Sequence, residues 1–120
     1  IVTDECVFCM IANGEIPATA VYEDETVFAF DDIAPQAPVH VLIVPRAHHS
    51  DISDDVPDDV LLALMRAVPK VAAAKGVAAS GYRVIANTGE DAGQTVHHLH
   101  VHVIGGRPLG EGMVRPMEGE

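Results

Sequence analysis

Histidine and apolar residues alternate in one short segment near the C-terminus, the run 97–107. In an extended strand the side chains alternate between two faces, and residues i and i+2 lie about 6.5–7 Å apart on the same face. The pattern therefore predicts a strand with one chemical face and one buried face, formed respectively by His98, His100 and His102 and by Leu99, Val101 and Val103.

Three imidazoles in a row are more typical of a reaction site than of packing. Imidazole is a nucleophile, a general acid or base near neutral pH, and a metal ligand. Two interpretations stay open from the residues alone: a nucleophilic or acid–base site, and a catalytic metal site, because histidines at alternate strand positions are a common zinc-ligand spacing. The alternating Leu and Val residues disfavour a third interpretation, a purification tag or a solvated histidine-rich edge.

Length and charge limit the architecture and the partners. At 120 residues and 48% hydrophobic residues, the chain is long enough for one core, so we predict a single domain over residues 1–120. The formal net charge of −11 argues against binding of DNA or RNA. No apolar run approaches the ~20 residues that span a bilayer, and no secretory signal is recognisable. We expect a cytoplasmic protein without a membrane partner.

The order of predicted elements indicates an α+β fold. We predict a short helix over residues 6–13, one long helix over 57–79, and strands over 19–22, 27–30, 40–44, 82–87 and 96–104. Pro69 lies inside the long helix, where its missing N–H predicts a kink. The predicted architecture is a five-stranded antiparallel sheet crossed by one long helix, with a short N-terminal helix. The buried stripe of the long helix is predicted at Val60, Leu61, Leu64, Met65, Val68, Val71 and Ala72.

The run 97–107 resembles the signature of the histidine triad family, in which three histidines alternate with apolar residues. The preceding segment, residues 93–96, is similar to that family's approach to the triad, and so are the segments 8–17 and 32–46. The resemblance covers roughly residues 5–107. It implies the fold described above and a nucleotide-binding hydrolase.

The resemblance also implies a role for each histidine. His100 matches the family's nucleophile, which would attack the α-phosphorus of a nucleoside 5′-phosphoramidate and form a covalent nucleotidyl-histidine. His102 would donate to the phosphoryl oxygens, and His40 would support the site by hydrogen bonding or proton relay. His98, the first histidine of the triad, completes the set of catalytic residues that the resemblance implies.

A purine nucleotide or nucleoside phosphoramidate is the implied substrate. Asp32 is similar to the acidic residue that accepts from the ribose hydroxyls. Apolar residues matching the walls around the base are Phe8, Ile11, Ile16, Phe30 and Ile33. Asn87, Thr95 and a backbone N–H near Gly93 match groups that contact the phosphate or the leaving group.

The ending Gly105-Gly106-Arg107 resembles the Hint-like branch of nucleoside phosphoramidases. Dinucleoside polyphosphate hydrolases of the Fhit-like branch usually have Pro-Arg there, although Thr95 is more typical of that branch. A Fhit-like hydrolase and a nucleotide-binding interaction module with little turnover therefore remain alternatives. The resemblance further implies a homodimer that pairs the helix and the sheet edge of two copies.

The two cysteines form a CxxC pair, Cys6 and Cys9. In a cytosolic protein this spacing is more often metal-binding or redox-active than a structural disulfide. The resemblance implies a structural zinc site that adds His48 and His98 to the two cysteines, with no cofactor needed for catalysis. Two reduced cysteines without a metal are the alternative.

Overall fold

A five-stranded antiparallel sheet organises the chain. The computed structural model describes residues 6–114. The strands are β1 (Ala20–Glu23), β2 (Val27–Asp31), β3 (Val39–Pro45), β4 (Tyr82–Ile85) and β5 (Val101–Gly105), and the helices are α1 (Val7–Ala12) and α2 (Asp58–Ala74). The strand order is β1-β2-β3-β5-β4, and every neighbouring pair is antiparallel. The predicted α+β architecture is therefore confirmed, with a single sheet in the described residues.

One face of the sheet packs against α2. Side chains from alternate positions of β3 and β5, among them Val41, Ile43 and Val103, are fully buried against the helix. The predicted stripe supplies most of the helix side of this core, with Leu64 and Val71 at its centre. Met65 does not belong to it, since 55% of its surface is exposed.

The long helix is shorter than predicted and ends at Ala74. Gly76, just beyond its end, has a φ of 75°, a left-handed conformation that glycine adopts without strain and that commonly ends helices. The helix continues through Pro69, and the kink there stays a prediction. Neither helix in the described part of the chain combines the length and apolar character needed to cross a membrane.

The other face of the sheet carries α1 and the histidines. Phe28, Phe30, Leu42 and Val44 form a second apolar cluster with Phe8 of α1. Arg46 connects this helix to the sheet: its guanidinium donates to the backbone oxygens of Ala12 and Asp24 and to Glu23, and it lies 5.6 Å from the centre of the Phe28 ring. This anchoring holds the N-terminal cysteines beside the end of β3.

Strand β5 begins at Val101, so the predicted strand over residues 96–104 was wrong in its first half. In the β3–β5 register Val101 faces Ile43, and the next hydrogen-bonded pair would join Leu99 to Pro45. Pro45 has no N–H to give to that pair. Leu99 instead donates its N–H to the His49 oxygen at 2.6 Å. His98 and His100 therefore lie on an irregular segment that leads into the strand.

Strand β4 ends at Ile85, two residues earlier than predicted. The remaining strands lie within one or two residues of their predicted bounds. The alternation that predicted a buried face for Leu99, Val101 and Val103 is confirmed, because each is at most 4% exposed.

Candidate active site and metal cluster

The second triad histidine, His100, has one ring nitrogen fixed by the backbone. Its Nδ1 lies 2.7 Å from the His98 carbonyl oxygen. A carbonyl only accepts hydrogen bonds, so Nδ1 carries the proton and Nε2 of the neutral ring holds a lone pair. The ring is only 8% exposed, although the alternation of residues assigned burial to the opposite face of the strand. Phe8 contacts it edge-on, with 5.1 Å between ring centres, and covers it from the α1 side.

His102 and His40 are paired across β5 and β3. The Nε2 atom of His40 lies 2.9 Å from Nδ1 of His102, and the backbone N–H of Gln36 donates to the other nitrogen of His40 at 3.1 Å. Asp32 approaches the pair, with its Oδ2 atom 3.4 Å from His40 Nε2. The Nε2 atom of His102 is buried and has no hydrogen-bond partner among residues 6–114.

His98, the first triad histidine, points away from this pair. It is fully buried, and its Nε2–H donates to the Pro45 carbonyl oxygen at 2.8 Å. Its Nδ1 lone pair faces two thiols, at 3.2 Å from Cys6 Sγ and 3.4 Å from Cys9 Sγ. The side chain of His98 is therefore placed with the cysteines, and only its carbonyl oxygen touches His100.

The cysteine cluster has the donor set of a structural zinc site. His48 completes it, with its Nδ1 atom 3.3 Å from Cys9 Sγ, and the four potential ligand atoms all lie within 4.8 Å of one another. Two thiolates and two imidazoles in a tetrahedron are a common zinc environment, and the bond from His98 to Pro45 is the kind of outer contact that orients such ligands. Burial raises the pKa of the Cys6 thiol, so a bound cation would have to displace its proton.

The triad histidines do not converge on one metal ion. In the described residues, potential ligands gather at the cysteine cluster and in a second group formed by Asp32, His40 and His102. His100 belongs to neither group. The arrangement therefore separates the four-ligand cluster from the ring of His100.

Burial keeps the neighbouring histidines neutral. It lowers the pKa of His98 from 6.5 to about 4, and the charges of His48 and His100 act in the same direction. The pKa of His102 is also lowered to about 4, chiefly by burial and then by the neighbouring His100 and His40. Near neutral pH both rings therefore have one donor and one acceptor nitrogen.

The predicted nucleotide-binding residues fall into separate surroundings. Phe8 and Phe30 are buried and contact each other edge-on, with ring centres 5.6 Å apart. Ile33 is fully exposed, so it forms no wall in this structure. Asp32 has 20% of its side-chain surface exposed, and its Oδ1 atom accepts from the Ala34 N–H.

Ile11 and Ile16 line a cavity of about 600 Å³ between the α1–β1 connection and strand β2. Its other lining residues include Thr19, Phe28 and Arg46, and no triad histidine. The predicted apolar wall is thus divided between this cavity and the buried phenylalanines beside His100.

The loop before the triad is held by the side chain of Gln94. Its amide donates to the carbonyl oxygens of Ser50 and Val96 and accepts from the Gly89 N–H. The N–H of Gly93 itself donates to the Glu90 oxygen at 2.9 Å, and the contact of a phosphate with an N–H near this residue stays a prediction. Thr95 is exposed and Asn87 is half-buried.

The family resemblance implies that a backbone carbonyl near the first triad histidine holds the ring of the nucleophile, and the His98 carbonyl oxygen does so for His100. Sequence reasoning missed two other backbone groups that orient the histidines, the Gln36 N–H and the Pro45 carbonyl oxygen. Every residue but proline has the same main-chain groups, so no residue type identifies those used. The two prolines around residue 36 were the only local sign of a rigid segment at that point.

Comparisons with known proteins agree with this geometry. Residues 13–109 match the HIT domain family. The chain is 42% identical over 109 residues to the purine nucleoside phosphoramidase of Escherichia coli K12, covering 89% of this chain and 92% of that protein. A HIT family hydrolase from Clostridium thermocellum superimposes with a TM-score of 0.89 at 44% identity, covering 94% of this chain and all of that one. One from Legionella pneumophila gives a TM-score of 0.80 at 50% identity, covering 89% and 97%.

The fold, the triad and these matches define the class of protein: the chain belongs to the HIT family. Within that family it is a hydrolase, as its relatives of known structure are.

The lowered pKa of His102 predicts a loss of stability in mild acid. The unfolded side chain binds a proton near pH 6.5, whereas the folded one binds it only near pH 4. Stability is therefore lost as the pH falls from about 6.5 to about 4, at no more than about 1.4 kcal/mol per pH unit for one proton. The free energy of unfolding, measured with denaturant between pH 4 and 6.5, should depend less steeply on pH in His102→Asn than in the wild type.

The exposed His97 provides the control, because His97→Asn should leave the pH dependence of the wild type unchanged. Parallel stability curves for wild type and His102→Asn between pH 4 and 6.5 would contradict the lowered pKa.

Proposed function

We propose that the protein hydrolyses nucleoside 5′-phosphoramidates, with purine nucleosides preferred, through a covalent nucleotidyl-His100 intermediate. One observation carries the proposal: the ring of His100 holds a proton on Nδ1, so its neutral form has the lone pair on Nε2, and the ring lies next to a histidine whose buried Nε2 lacks a partner in the described structure. Such a pair offers a nucleophile and a donor for one phosphoryl group. The named activity of the Escherichia coli relative supports this substrate class.

In the first step, the Nε2 lone pair of His100 bonds to the α-phosphorus and the P–N bond to the amine breaks. The bonding electrons leave with the amine nitrogen, which takes a proton from water. The imidazole then has phosphorus on Nε2 and a proton on Nδ1, so it is cationic. The His98 carbonyl oxygen, 2.7 Å away, accepts from that proton and stabilises the positive charge.

In the second step, water attacks the same phosphorus, its oxygen bonds there, and the bond to His100 breaks. The nucleoside monophosphate leaves, the surplus proton passes to solvent, and His100 regains its lone pair. His102 would serve both steps, since an Nε2–H donor strengthens its bond to a phosphoryl oxygen as negative charge develops.

Nucleotide recognition is proposed from the resemblance and the positions of the residues. Asp32 is partly exposed beside the His40–His102 pair, within reach of ribose hydroxyls bound near His102. Phe8, Phe30, Ile11 and Ile16 provide apolar surface on the α1 side for the base, with Ile33 free to cover it. The resemblance alone supports contacts of Asn87 and Thr95 with the phosphate or the leaving group. The net charge of −11 favours a small nucleotide over DNA or RNA.

The cysteine cluster is proposed to bind structural zinc. Four ligands fill a tetrahedron and leave no position for water, so such an ion would stabilise the fold and supply no nucleophile. Catalysis would need no cofactor. Both cysteines are free thiols in the structure, which fits a reducing compartment such as the cytoplasm.

A homodimer is proposed from exposed apolar side chains on two adjacent elements. Leu62 and Met65 of α2 are more than half exposed, and Tyr82 and Val84 lie on β4, an edge strand of the sheet. Pairing of these surfaces in two copies would cover them.

The first prediction tests the nucleophile. Asparagine cannot form a covalent bond to phosphorus, so His100→Asn should lower the turnover of an adenosine phosphoramidate by several orders of magnitude. Binding of adenosine monophosphate, measured by calorimetry, should persist because the pocket remains. His97→Asn, an exposed histidine three residues earlier, should keep wild-type turnover. Wild-type turnover in His100→Asn would refute the covalent mechanism.

A second prediction concerns the bond that is cleaved. Adenosine and guanosine phosphoramidates should be hydrolysed with a higher kcat/KM than a dinucleoside tetraphosphate, because the Gly105-Gly106-Arg107 ending resembles the phosphoramidase branch. A higher kcat/KM for the tetraphosphate would favour the dinucleoside polyphosphate hydrolase. Nucleotide binding without turnover of either class would favour the interaction module.

A third prediction concerns the metal. Cys9→Ser should release zinc and lower the melting temperature, because ligation by thiolates is coupled to folding, while most of the activity per folded molecule remains. His49→Asn alters the histidine next to His48 and should retain the metal. Elemental analysis of wild-type protein prepared without chelator should find about one zinc per chain, and a content below about 0.1 would exclude the site.

A further inference from the structure

A chain of hydrogen bonds begins at the backbone of Gln36 and ends at His102. The Gln36 N–H donates to Nδ1 of His40 at 3.1 Å. A ring nitrogen that accepts from an amide carries no proton of its own, so the proton of the neutral His40 ring must be on Nε2. The amide therefore selects one of the two tautomers of His40, which is only 3% exposed.

The choice made at His40 is passed to His102. His40 Nε2–H has two acceptors in reach, His102 Nδ1 at 2.9 Å and the Asp32 carboxylate at 3.4 Å. The nearer nitrogen takes the hydrogen bond and must therefore be unprotonated. The proton of neutral His102 is then on Nε2, the buried atom without a partner among the described residues.

We propose that the main-chain N–H of Gln36 is a positioning group that sets the tautomers of His40 and His102, so that His102 presents an Nε2–H donor to the substrate. The role of this amide in catalysis rests on the proposed function, whereas the assignment of the two tautomers is independent of it. The chain ends at an amide, which does not release its proton near neutral pH. Of the two roles expected for His40, hydrogen bonding and proton relay, the geometry points to hydrogen bonding.

The segment around Gln36 is held on both sides. Arg107 Nη2 donates to the Gln36 carbonyl oxygen at 3.1 Å, and prolines at positions 35 and 38 restrict the backbone. A Cβ added at Gly106 would lie 3.0 Å from Pro38 Cβ, so the Gly106-Arg107 pair packs closely on this segment. The amide thus has little freedom to leave His40.

A spectroscopic experiment on the wild-type protein tests the tautomers without substrate. Long-range ¹H–¹⁵N correlation spectra at pH 7, with His40→Asn and His102→Asn for assignment, should identify both rings as neutral with the proton on Nε2. The same spectra should identify His100 as the Nδ1–H tautomer. An Nδ1–H tautomer for His40 or His102, or a charged His40, would overturn the proposal.

Two substitutions at one position isolate the amide. Gln36→Pro removes the N–H, whereas Gln36→Ala removes the side chain and keeps it. We expect the proline variant to show mixed tautomers at His40 and His102, and its kcat to fall about 10–100-fold, less than the ~10²–10³ lost with a donor removed outright. The alanine variant should match the wild type in both measurements.

The outcomes separate this proposal from the function on which it rests. A folded Gln36→Pro variant with wild-type tautomers and kcat would overturn the positioning role. If Gln36→Pro does not fold, the wild-type spectra decide. The expected tautomers in a protein that hydrolyses no phosphoramidate would refute the proposed function and leave the hydrogen-bond chain intact.

Discussion

The antiparallel pairing of β3 with β5 is the constraint on which the site depends. Its register sets Val41 opposite Val103 and Leu42 opposite His102. Because side chains alternate, one face of this pair is apolar and packs under α2, while the other brings His40 and His102 together. A shift of one residue would bury the histidines under the helix and expose the valines. The hydrophobic core therefore fixes the positions of His40 and His102 through the register of these two strands.

The three histidines His98, His100 and His40 differ in which ring nitrogen is hydrogen-bonded to the backbone. A carbonyl oxygen takes the proton of His98 at Nε2 and leaves Nδ1 for the cysteines. In His100 a carbonyl takes the proton at Nδ1 and leaves Nε2 unprotonated. At His40 the backbone group is a donor: the Gln36 N–H donates to Nδ1, so the ring proton is on Nε2. Main-chain groups thus set which nitrogen of each ring carries the proton, without any charged side chain, and this underlies the ligand, nucleophile and donor roles proposed above.

The sequence predicted the parts of this arrangement that depend on side-chain pattern. Alternation predicted the buried face at Val101 and Val103. The family resemblance implied one cluster of two cysteines and two histidines, which the structure brings together: Cys6, Cys9, His48 and His98. The extended strand through His98 was wrong, and so was the assignment of burial to the Leu and Val face alone, because His100 is buried as well. Each error concerns where the main chain finds its hydrogen-bond partners, and those partners are set by tertiary contacts that periodicity does not encode.

The early end of the β3–β5 ladder at Pro45 has a consequence for how the protein fluctuates. Residues 94–100 are held by contacts to the end of β3 and to the loop after it. The His98 ring donates to Pro45, the last residue of β3, while Leu99 and Gln94 donate to His49 and Ser50 in the loop. None of these bonds belongs to the sheet, so a local opening of the segment would break them and expose Leu99 and the His98 ring while all five strands remain paired. Opening of this kind costs less than global unfolding and exchanges amide protons independently of it. His100, the proposed nucleophile, therefore lies on a segment whose attachment is separate from the sheet ladder, and zinc at the cysteine cluster would hold that segment more firmly.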